Sequence, residues 1–189
     1  MDGTTFWGPF NLEAAVRLTG IPRATLDNWD RTGVVRASIR PARGRGFPRS
    51  WSREDVLQLR FAAELRRRGM SIADIKRVVR KGKKENWWDT PVDAGVGAPC
   101  ADDGRSIVMI GGKGWSDIRR ATAAEAAAAL STAEDLVLAI NLARLRAQWV
   151  TEMRPLLAKL FAEALGLKGR AARVKAKELL EMMEHRDRE

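Results

Sequence analysis

The chain holds one cysteine, Cys100, and one histidine, His185, in 189 residues. A lone cysteine excludes an internal disulfide, and the pair provides no thiolate or imidazole cluster for zinc. No apolar run approaches the roughly 20 residues that a membrane-spanning helix needs. The amino terminus, Met1-Asp2-Gly3, has neither the basic start nor the apolar core of a secretory leader. These absences predict a cytoplasmic protein that needs no metal and no cofactor and stays off membranes. Also missing are a carboxylate pair and a nucleophile set beside a base, so the sequence carries no signature of an enzyme. No segment repeats with a period of about 20–50 residues.

What the chain does have is charge, unevenly placed. Its formal net charge is +10. Residues 1–84 hold 19 Lys and Arg against 8 Asp and Glu, a balance of +11, whereas residues 85–189 hold 15 against 16. The basic excess therefore lies wholly in the N-terminal part and points to a polyanionic partner, nucleic acid above all.

The same part has the punctuation of short helices. Leu12, Ala15, Val16 and Leu18 follow helical spacing behind Asn11 as an N-cap, and Gly20 ends the run. Pro22 suits the opening of a second helix over residues 24–30, with Leu26 and Trp29 turned inward and Gly33 as its stop. Two short helices across a glycine-containing turn make a helix-turn-helix. Val34-Val35 predict a short extended stretch. Residues 40–49 combine glycines, prolines and four arginines, the pattern of a β-hairpin wing. Ser52 with Asp55 resembles a capping box. The helix behind it turns inward either Val56, Leu59 and Ala63 or Leu57, Phe61 and Leu65, up to Gly69. Ser71 with Asp74 repeats the signal for a helix lined by Ile72, Ile75 and Val79, and Lys81-Gly82-Lys83-Lys84 reads as a flexible exit.

Beyond it the pattern loosens. Residues 90–104 are rich in Gly, Pro and Asp and predict a loop. Residues 105–110 predict a strand, paired in a hairpin with the segment around Trp115. An alanine-rich helix follows over residues 121–130, and Ser131-Thr132 before Glu134-Asp135 reads as a fresh helix start. Leu138, Leu142, Leu145, Trp149, Met153, Leu156 and Leu160, then Ala172, Ala176, Leu179 and Met183, step by three and four, the seam of helices that pack on other helices. The fold class is thus mainly α. A winged helix-turn-helix of four helices and a small β-wing fills 1–84, a loop and short β-hairpin linker 85–120, and a helical oligomerisation or partner-binding region 121–189.

In a helix-turn-helix the second helix enters the major groove with its N-terminal side chains on base edges. Here those side chains are Arg23, Thr25, Asp27 and Asn28. Arg23 suits a guanine edge and Asn28 an adenine, while Asp27 either accepts from cytosine or holds Arg23. The wing arginines Arg40, Arg43, Arg45 and Arg49 suit phosphates or the minor groove. Arg66-Arg67-Arg68 and the lysines from 81 to 84 serve equally as solvated helix ends or as DNA contacts. Cys100 reads as a bystander and Gly111-Gly112-Lys113-Gly114 as a hairpin turn, since it lacks the Lys-Ser/Thr ending of a phosphate loop. Trp87, Trp88, Trp115 and Trp149 read as core or interface aromatics, with an apolar ligand pocket as the alternative.

Three blocks in order give these residues a family likeness. They are Thr19-Gly20-Ile21-Pro22-Arg23-Ala24-Thr25-Leu26 through Trp29-Asp30 to Gly33-Val34, then Arg49-Ser50-Trp51-Ser52, then Leu65-Arg66-Arg67-Arg68-Gly69-Met70-Ser71. The N-terminal region resembles the MerR family, over under half of the chain. The resemblance implies a four-helix winged helix-turn-helix that binds operator DNA, usually as a dimer. It places Arg23, Thr25 and Asn28 on the recognition helix and Arg43, Arg45 and Arg49 on the wing. Asp27-Asn28 stand where the family commonly has an Arg–aromatic pair. About 30 residues of loop and strand stand where it runs straight into a long dimerisation helix.

The expectation is a sequence-specific transcriptional regulator of double-stranded DNA, bacterial or phage in origin, forming a homodimer through its C-terminal helices, with room for a protein partner. The alternative is a DNA-architectural or packaging protein of a mobile element or phage, excisionase-like or small-terminase-like. A third is a ligand-binding sensor built on the tryptophan-rich middle.

Overall fold

The computed structural model describes residues 9–41, 48–88, 105–112, 115–132 and 138–145, with single positions or short runs from 151 to 178. Helix α1 (Leu12–Thr19) starts where Asn11 accepts a hydrogen bond from the Ala14 N–H at 2.8 Å. It stops at Gly20, whose φ of 68° is left-handed. Helix α2 (Arg23–Thr32) opens behind Pro22 and ends at Gly33, also left-handed. The Lys76 ammonium donates to the Thr32 carbonyl at 2.7 Å, satisfying an acceptor at the end of α2.

Helices α3 (Arg53–Arg67) and α4 (Ile72–Lys84) begin at Ser52 and Ser71, and the Ser52–Asp55 pair completes a capping box in both directions. The two apolar stripes of α3 that the sequence offers as alternatives are both used. Val56, Leu57, Leu59, Phe61 and Leu65 are all buried, because α3 lies between α1 and α4 and has little outer face. Val34 and Val35 are buried in bends and form no strand. Two antiparallel bridges follow, Phe10 with Trp51 and Arg40 with Ser50, each made by two backbone hydrogen bonds of 2.8–3.1 Å. The second closes the root of the wing hairpin; its tip, residues 42–47, lies outside the described residues.

The middle of the chain adds a sheet. Strands β1 (Ile107–Gly111) and β2 (Asp117–Ala121) form the expected hairpin, and the Trp115 N–H donates to the Gly112 carbonyl in the turn. Helix α5 (Ala123–Thr132) follows. The next segment departs from its sequence pattern: Leu138–Asn141 is a third strand, β3, antiparallel to β1, giving the order β2-β1-β3. A strand here pairs the second edge of β1, whose buried backbone groups otherwise lack partners. Helical backbone resumes only at 142. Ser131 and Thr132 are likewise no helix start; they sit in the last turn of α5 and donate to the Ala128 carbonyl. Described positions beyond 141 are helical apart from the turn at Gly166. Most of the C-terminal seam, with Trp149, Met153, Leu156, Leu160, Ala172, Ala176, Leu179 and Met183, lies outside the described residues, as do Cys100 and His185.

Sheet and helices share one core. Val108, Ile110, Ile118 and Ile140 from one face of the sheet join the cluster that holds Trp51, Phe61 and Ile75. Met109 and Ala121 on the other face meet Ala126 of α5. The joint is aromatic. Trp87 and Trp88 are buried, edge-on to each other with centroids 6.1 Å apart, and Trp88 lies 5.1 Å from Phe61. They read as core residues, and Gly82 makes room for them. Gly82 is no flexible exit; it is buried in α4, where a Cβ atom would sit 2.7 Å from both indoles.

Gly82→Ala separates two effects of opposite sign. Alanine in a helix interior gains about 0.8–1 kcal/mol over glycine, whereas overpacking a dense core costs about 1–3 kcal/mol. With two rigid rings in the way, crowding wins. The expected outcome in denaturant unfolding is a net loss of up to about 2 kcal/mol; a stabilised variant contradicts the packing.

Candidate nucleic-acid interface

The face of α2 opposite Leu26 and Trp29 carries the side chains expected at base edges. Arg23 is 76% exposed, Asn28 is exposed and Thr25 is half-buried. The Asn28 Oδ1 accepts from Arg31 at 3.2 Å, an exposed bond for which water competes. Helix α2 has no side-chain cap and no acid in its first turn. Of its first N–H groups, those of Thr25 and Leu26 donate to the Pro22 carbonyl at 2.9 and 3.0 Å, and the positive dipole end meets no first-turn acid, an environment that suits phosphate. Arg40 stands exposed at the wing root. Arg43 and Arg45, expected on the wing, lie outside the described residues.

Asp27 holds Arg49 more closely than it holds Arg23. Arg49 is only 23% exposed and donates to Asp27 through Nη1; its Nε lies 3.1 Å from the Asp30 carboxylate. The Arg23 guanidinium is 4.0 Å from Asp27. Asp30 is buried and also accepts from the Ala37 N–H at 3.0 Å. One step along, the Ser38 N–H and hydroxyl both donate to the buried Asp55, at 2.8 and 2.7 Å. Between helix and wing root lies an open cleft of about 740 Å³, bounded by Ala24, Asp27, Asn28, Arg31, Arg36 and Arg49. Arg31 and Arg36 thus belong to the same surface. Sequence spacing does not place Arg36 there; its chain neighbours Val35 and Ala37, buried beside it, turn it outward.

The arginine run at the end of α3 has work within the protein. Arg67 and Arg68 both pair with Glu64, at 2.8 and 2.6 Å, and Arg66 donates to the Met70 carbonyl at 3.2 Å. Partial burial pushes the Glu64 carboxyl up, but the hydrogen bonds and charges of Arg67 and Arg68 outweigh it and hold the group below its ordinary value. Among the described residues, no cluster of His, Cys, Asp and Glu could hold a metal ion, and no helix is long and apolar enough to cross a membrane.

Helix α2, set beside a hairpin root on a four-helix core, has the layout of a winged helix-turn-helix. Residues 10–82 match the family described as MerR HTH family regulatory protein, so the N-terminal domain is MerR-like. Over 63 residues the chain is 38% identical to an uncharacterized HTH-type transcriptional regulator of Mycobacterium bovis. Regulators of the same description from two strains of Mycobacterium tuberculosis match to the same extent. The alignment covers 33% of this chain and 28% of each relative.

The Glu64 cluster sets a pH dependence. A carboxyl lowered by folding contributes stability above its unfolded value of about 4.5, and that contribution is lost as pH falls through the lower folded value. Relative to Glu64→Gln, the natural protein is expected to be about 0.5–1 kcal/mol more stable at pH 7, the scale of solvent-exposed pairs. The gap should narrow as pH falls below about 4.5 in urea titrations.

Proposed function

We propose that the protein is a sequence-specific regulator of transcription, not an enzyme, that binds double-stranded DNA in the cytoplasm of a bacterium or in the service of a phage. Helix α2 lies in the major groove, with Arg23, Thr25 and Asn28 on base edges. The wing, through Arg40, Arg43 and Arg45, follows the backbone or minor groove. The observation that carries this proposal is the exposed face of α2, which joins the exposed Arg23 and Asn28 to a wing root around the same cleft, inside a stretch that matches a regulator family. DNA is the ligand that uses both at once, since the groove takes a helix and the flanking phosphates take cations. The C-terminal helices hold two copies together, so a twofold site is the expected target.

A second proposal, an architectural or packaging role on mobile-element DNA, is favoured by one observation. The sheet is packed into the core of the helix-turn-helix, where a MerR-like regulator runs directly into a dimerisation helix. Molar mass of the DNA complex divides the two: a dimer on an inverted repeat supports the regulator, a larger assembly on direct repeats the alternative.

Arg23→Ala is expected to relax preference at one base pair by about 1–3 kcal/mol, the worth of a bidentate base contact. Arg43→Ala or Arg45→Ala is expected to weaken all sequences alike and to flatten the salt dependence by about 0.9 in log–log slope per lost phosphate contact. Binding of Arg23→Ala with unchanged preference removes α2 from the groove.

A further inference from the structure

Arg49 is the wing arginine whose surroundings differ from a DNA contact. It stands beside Ser50, which is bridged to Arg40 across the wing root, and it reaches 22 residues back to the recognition helix. There it meets two carboxylates one helical turn apart, Asp27 through Nη1 and Asp30 through Nε. Asp30 is 7% exposed and Asp27 is 40% exposed on the groove-facing side. A guanidinium matched by two carboxylates has no charge left over to attract phosphate. The planar fork also suits this job, since it fixes direction at two acceptors together, as an ammonium does not.

We infer that Arg49 is a positioning residue: it clips the wing root to α2, so that helix and wing meet DNA as one body, and it holds the Asp27 carboxylate in an ion pair as α2 approaches the duplex. Without the clip, Asp27 keeps only the longer pair with Arg23, at 4.0 Å, and presents its negative charge less well matched between flanking phosphates. Of the side-chain ties between these carboxylates and the segment after α2, the Asp30–Ala37 and Asp55–Ser38 hydrogen bonds then remain. The loss falls on selectivity, because base-edge hydrogen bonds tolerate little displacement, whereas diffuse phosphate attraction tolerates much. This inference rests on the DNA-binding proposal and makes a narrower claim than it.

The test measures binding of full-length Arg49→Gln to its selected site and to scrambled DNA across a salt series, with Arg43→Gln as reference. For Arg49→Gln, preference for the site is expected to fall about fivefold or more, with a salt slope near that of the natural protein. For Arg43→Gln, preference is expected to hold while the slope flattens by about 0.9. Retained preference in Arg49→Gln overturns the clip, whatever the slope; so does lost preference with a slope flattened as in Arg43→Gln. If Arg49→Gln fails to fold by circular dichroism, Arg49→Lys takes its place. It keeps the charge, is expected to lose preference at constant slope, and overturns the clip if selectivity is intact. Failure of the natural protein to select any DNA removes the DNA-binding proposal itself, an outcome distinct from failure of the variants.

Discussion

The adjacent residues Ala37 and Ser38 are held by two buried carboxylates from different helices, Asp30 of α2 and Asp55 of α3, and the wing hangs from that grip. Each carboxylate serves twice. Asp30 also takes Arg49, and Asp55 also closes the cap of α3 through the Ser52 N–H. A buried donor stripped of its acceptor costs about 1–3 kcal/mol, so neither aspartate can be exchanged for an apolar residue without cost. The consequence is geometric. The chain leaves α2, is pinned at residues 37 and 38, and returns at Ser50 in register with Arg40, which sets Pro41 and Arg49 of the wing root around one cleft with α2.

Much of the N-terminal domain is legible in sequence because its signals are local. Asn11, Ser52 and Ser71 each cap within three residues, and Gly20 and Gly33 each stop a helix with a left-handed backbone. The aromatic at position 51 and the arginine at 49 belong to the same short block that marks the family. What sequence spacing does not show is long-range. The Asp27–Arg49 pair spans 22 residues, and nothing in its neighbourhood separates it from the nearer Arg23. Gly82 resembles a flexible joint until the two indoles behind it are placed.

The strand at Leu138–Asn141 fails for the same reason in stronger form. Leucines at 138, 142 and 145 fit a helical seam, yet the first of them pairs with Ile110 in a sheet. The deciding partner is β1, about thirty residues earlier, and its unpaired edge outweighs a weak local preference. That sheet also packs directly onto the winged domain. Its apolar face and the Trp87–Trp88 pair are continuous with the helix-turn-helix core, and Arg77 of α4 donates to the Trp115 carbonyl at 3.0 Å.

The central claim is that the exposed face of α2 and the wing read duplex DNA. The most direct measurement is selection of genomic fragments by the full-length protein, followed by footprinting of the bound site. The account predicts a recurring short site, protected in the major groove opposite α2 and on the flanking backbone opposite the wing. Recovery of fragments with no common sequence, or protection that leaves the major groove open, contradicts it.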